Sequence, residues 1–72
     1  MAEHLSEIAR FELPYRRTAI IKEVLFDSGM RMTRLIIKEG TRITQVDLDP
    51  EAADNIGKTL VQMAEKGRGA DG

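Results

Sequence analysis

Seventy-two residues with no cysteine and a single histidine make one small domain, held by neither disulfides nor a thiolate metal site. The formal net charge of −1 argues against strong, general affinity for nucleic acid, and no run approaches the roughly 20 apolar residues of a membrane span. A chain of this size buries only about 60 % of the surface it exposes when unfolded, so association with another chain is the remaining support for its core.

In chain order, residues 1–13 read as an N-terminal arm, residues 14–67 as a single α+β domain and residues 68–72 as a disordered tail. Leu5, Ile8 and Ala9 stand at helical spacing, which predicts a short helix or a frayed segment, ended by Pro14. The arm carries Glu3, Glu7 and Glu12 against Arg10 and has no apolar stretch, unlike a secretory signal, so the expected compartment is the cytoplasm.

Thr18 to Phe26 is rich in β-branched and large apolar residues and predicts the first strand. Asp27-Ser28-Gly29 suits a three-residue loop closed by a left-handed glycine. Met30 to Lys38 predicts a second strand, Glu39-Gly40 a turn, and Thr41 to Leu48 a third strand. At Asp49-Pro50-Glu51 the period changes from 2 to 3.6: the carboxylate of Asp49 caps a helix, Pro50 suits its first position and Glu51 complements the dipole. The helix is expected to run to about Lys66, with Ala53, Ile56, Gly57, Leu60, Met63 and Ala64 on its apolar stripe and Gly67 as its C-cap. Gly57 is explained by a close approach of helix to sheet. The fold class is therefore α+β: an antiparallel three-stranded meander followed by one C-terminal helix packed on one sheet face.

A three-residue first loop sets Val24 opposite Met32 and Ile20 opposite Ile36. One face then carries Ile20, Val24, Phe26, Met30, Met32, Ile36, Val46 and Leu48, and the other Ala19, Ile21, Leu25, Leu35, Ile37 and Ile43. Both are apolar, whereas one helix covers only one face, and an uncovered apolar face marks an interaction site. Val24, Phe26, Met30 and Met32 are the self-association candidates, and a homodimer is the expected state, with another protein as the partner of the module. The same register sets Lys22 against Arg34, a like-charge pair that an anion would relieve if Arg42 lay beside them. A two-residue loop would instead set Glu23 against Arg34, an attractive pair; turn chemistry favours the first register and charge pairing the second.

The charge is uneven: residues 1–13 sum to −2, residues 14–48 to +3 and residues 49–72 to −2. Arg31, Arg34, Lys38 and Arg42 are the candidate nucleic-acid contacts, as forked donors to phosphate oxygens. The competing reading pairs the basic residues with Glu23, Glu39 and Asp47, and aromatic residues for base stacking are few. Asp47, Asp49, Glu51 and Asp54 lack the glycine and spacing of a calcium loop, and His4 has no orienting partner. With no phosphate-binding glycine loop, nucleophile elbow or metal-ligand pair, neither catalysis nor a cofactor is expected.

The order of three strands and a helix, with Arg34-Leu35-Ile36 in a middle strand, is broadly similar to the repeats of purine-rich-element-binding proteins. That resemblance implies a dimer and adds weight to the nucleic-acid alternative, and it transfers no site residue.

Overall fold

The computed structural model describes residues 3–70 and shows an antiparallel sheet of four strands, not three, followed by one helix. The strands are β1 (His4–Leu13), β2 (Arg17–Leu25), β3 (Arg31–Glu39) and β4 (Arg42–Leu48), in sheet order β1-β2-β3-β4, and the helix is α1 (Pro50–Ala70).

The arm expected over residues 1–13 is thus the edge strand β1, with residues 1 and 2 outside the described part. The helical spacing of Leu5, Ile8 and Ala9 has a different origin. Leu5 pairs with Val24 and Glu7 with Lys22, but the register shifts between Glu7 and Ala9, so that Ala9 pairs with Ile21 and Arg10 with Ile20. A bulge inserts one residue and changes which face the following side chains meet, which breaks the alternation of period two that would have marked a strand.

Pro14, Tyr15 and Arg16 turn the chain from β1 into β2. Tyr15 and Arg16 have φ of 63° and 62°, a left-handed pair that bulky side chains seldom adopt. The second turn follows expectation: Phe26 N donates to Met30 O at 3.0 Å, Gly29 N donates to Phe26 O at 2.9 Å, and Gly29 has a φ of 91°. Val24 therefore opposes Met32, and Ile20 opposes Ile36.

The third turn exchanges the expected faces of Ile43, Val46 and Leu48. Glu39 pairs directly with Arg42 across Gly40-Thr41, so Leu35 meets Val46 and Thr33 meets Leu48. Val46 and Leu48 lie with Leu35, Ile21 and Ile37, while Ile43 lies with Ile36 and Lys38. The two sides are called here the Ile20 face and the Leu35 face.

Helix α1 crosses the Leu35 face, where Ala53, Ile56, Gly57 and Leu60 look toward Ile21, Thr33, Leu35 and Leu48. Its start is fixed as expected, with Ala52 N donating to Asp49 Oδ1 at 2.8 Å and Ala53 N to Asp49 O at 2.9 Å. Its end is not: the helix passes through Gly67, and Arg68 to Ala70 belong to it rather than to a disordered tail, of which residues 71 and 72 lie outside the described part. A Cβ built on Gly57 meets nothing within 4 Å, so no close approach within the chain accounts for this glycine.

Among the described residues only Ile20, Val24 and Ile36 are buried, and all three lie on the face without the helix. Leu5, Glu7 and Arg10 of β1 and Met32, Arg34 and Lys38 of β3 flank them there. Long side chains of this kind lay their apolar stems over neighbouring aliphatic groups and keep their charged heads in water. Among the described residues the helix-bearing face encloses none that is fully buried.

Candidate functional site: an open apolar face backed by a charge ladder

Across the middle of the Ile20 face the register aligns Glu7, Lys22, Arg34 and Asp47, one from each strand. The unfavourable Lys22–Arg34 neighbours are thus bracketed by carboxylates, and the chain's own acids take the role an anion would have had. Arg34 makes a forked contact with Asp47, Nε to Oδ1 at 2.7 Å and Nη2 to Oδ2 at 3.0 Å, and its Nη2 lies 3.8 Å from Glu3 Oε1. The hydrogen bond from Arg34 holds the Asp47 carboxyl below its ordinary range, against partial desolvation, and the reciprocal bond raises Arg34. Glu7 is likewise lowered, first by its hydrogen bond from Arg10 at 2.9 Å, then by the charges of Arg10, Lys22 and Lys38.

The four candidate phosphate contacts do not come together. Arg34 and Lys38 point to the Ile20 face, whereas Arg31 and Arg42 occupy the Leu35 side of β3 and β4. Arg31 is paired with Glu23 at 2.9 Å, and Glu39 is taken by Arg17 at 2.6 Å. The pairing acids Glu23, Glu39 and Asp47 are those the sequence suggests, and the partner of Glu39 is Arg17. Arg42 lies apart from Lys22 and Arg34, so no three-cation cluster forms. Among the described residues no group of three or more His, Asp or Glu is placed to hold a metal ion, and His4 sits exposed on β1 opposite Leu25.

Of the self-association candidates, Val24 is 0 % exposed between Leu5 and Met32, so it cannot itself meet a partner. Phe26 and Met32 are half-buried, and Met30 is exposed at the end of its hairpin. The larger apolar exposure is on the other side. The gap between α1 and the sheet is an open wedge of about 250 Å³, lined by Ile21, Leu35, Leu48, Ile56 and Leu60. Leu60 is 64 % exposed and Ile8 63 %, and Phe11, Val46, Ile56, Val61 and Met63 are also exposed. Sequence reasoning placed Ile56, Leu60 and Met63 on an inward stripe. It missed Ile8 and Phe11, whose strand was hidden by the bulge.

No helix among the described residues is long and apolar enough to cross a membrane. No curated protein and no solved structure matches the chain. A family model described as a family of unknown function (DUF6967) matches residues 2–66, nearly the whole chain, and the protein belongs to that family.

Proposed function

We propose that this protein is a small non-enzymatic interaction module that self-associates through the helix-bearing Leu35 face, in the cytoplasm. The observation that carries the reading is surface area. The chain exposes 5815 Å², whereas a compact folded monomer of 8.1 kDa exposes about 4500 Å². The radius of gyration is 14.6 Å, against about 11 Å for a compact domain of this length. The excess of about 1300 Å² per chain is the size of one side of an obligate homodimer interface. Most of the exposed large apolar residues belong to α1, β1 and β4, the kind of side chain such interfaces bury.

The alternative, nucleic-acid binding through Arg31, Arg34, Lys38 and Arg42, has less support, because these residues divide between two faces and two of them are ion-paired. Light scattering at low and high salt tests the reading. A dimer mass that is insensitive to salt is expected, since apolar contacts are not screened. A stable 8.1 kDa monomer at micromolar concentration overturns it.

A further inference from the structure

We infer that α1 is an exchanged arm: its second half lies over the β1–β2 half of the Leu35 face of a second copy, whose helix does the same in return. The inference rests on the self-association reading and specifies which surfaces meet.

Width comes first. Four strands about 4.8 Å apart make a face nearly 20 Å wide, and a helix is about 10 Å across, so one helix covers two strands. Within the chain α1 touches β3 and β4, leaving Ile8, Ala9 and Phe11 of β1 with Ala19 of β2 beyond its reach. One more helix completes the layer, and the described residues contain no other.

The helix itself is divided. Ala52, Ala53 and Gly57 are half-buried, whereas every residue from Lys58 to Gly69 is exposed. Helix propensity alone does not hold a projecting segment of this length firmly in water. That segment nevertheless carries Leu60, Val61, Met63 and Ala64. At about 100° per residue, the apolar positions from Ala52 through Ile56 and Leu60 to Val61 spread over about half the circumference, wider than the stripe a single sheet contact needs. One part of the arc serves the chain's own sheet and the rest is unpartnered.

The lengths agree. Residues 58–69 extend about 18 Å as a helix, and the exposed strip from Ile8 to Leu13 extends about 17 Å as a strand. A reciprocal exchange is isologous, so it closes at two copies and leaves no open apolar end for further growth. The excess exposure of about 1300 Å² per chain is what such an exchange would remove.

The absence of cysteine gives a clean test in the full chain. Ala9→Cys on β1 and Ala64→Cys on the arm are small changes at exposed or half-buried sites. The two variants are unfolded together in urea, refolded as a mixture, checked by light scattering and treated with a short bismaleimide. The expected product is a covalent heterodimer joining position 9 of one chain to position 64 of the other, in excess over either homodimer. A sample that scatters as a dimer but links mainly 64 to 64, or does not link, overturns the exchanged arm and leaves self-association standing. A sample that scatters as a monomer overturns both.

Discussion

Arg34 and Asp47 face each other across β3 and β4 and join through two nearly parallel hydrogen bonds, of 2.7 Å and 3.0 Å. Forked guanidinium–carboxylate contacts fix geometry as well as charge, and here the fork holds the last strand to the middle of the sheet. The Asp47 carboxyl is depressed by the Arg34 hydrogen bond, so its folded value lies below the unfolded value of about 3.9. The folded state then binds fewer protons in acid. The stabilisation is complete above the unfolded value and is lost as pH falls through the folded one. Asp47→Asn is expected to lower the melting temperature at neutral pH, with the gap to the parent closing in acid. Thermal unfolding followed by circular dichroism from about pH 7 down to pH 2 checks this. A gap that does not change with pH would remove the fork from the account.

The Asp49 cap makes a sharper prediction. Its Oδ1 accepts from Ala52 N at 2.8 Å, satisfying one of the amides that a helix start leaves open. Asp49→Ala should cost about 1 kcal/mol, and Asp49→Asn, which caps equally well, should restore most of it. Urea unfolding of the two variants separates capping from simple loss of charge.

Gly57 sits in mid-helix with open space where a Cβ would be. Within the chain, Gly57→Ala removes a propensity penalty of about 1 kcal/mol and meets no obstacle. A higher unfolding midpoint with unchanged solution mass is expected. A loss of the dimer on this substitution would place a close contact from the second copy at that notch.

At the β1–β2 hairpin tip, Tyr15 and Arg16 occupy left-handed backbone, and Tyr15 is 87 % exposed. Such conformations cost a non-glycine residue about 1–2 kcal/mol each, and Asn-Gly is the pair that adopts them most readily. The double substitution Tyr15→Asn, Arg16→Gly should therefore raise thermal stability, by less than the summed strain because glycine also loosens the unfolded chain. The Arg17 guanidinium stands 5.9 Å from the Tyr15 ring centre, an exposed contact worth less than that gain.

Much of this architecture is legible in the residues. The β2–β3 register follows from Asp27-Ser28-Gly29, and the helix start from Asp49-Pro50-Glu51. Three features are not. The bulge after Glu7 makes a strand look like a helix, because one extra residue spoils an alternation of period two. The Gly40-Thr41 turn pairs Glu39 with Arg42, and that single offset carries Val46 and Leu48 to the opposite face. Helix α1 runs on through Gly67, since a glycine near a helix end permits a cap without compelling one. The ion-pairing acids Glu23, Glu39 and Asp47 were legible, and strand alternation alone parts Arg31 from Arg34 and Lys38, but the side taken by Arg42 depended on the β3–β4 register.

The strand order has a kinetic consequence. Every strand pairs with its neighbour in sequence, the turns are two or three residues long, and α1 follows β4 after Asp49 alone. Closing such short loops costs little entropy, and folds dominated by local contacts form rapidly. Each chain should therefore complete its meander in a fast unimolecular phase whose rate ignores protein concentration. Covering the Leu35 face then falls to a later encounter, second order in the chain, so dilution should slow the last phase of refolding and leave the first untouched.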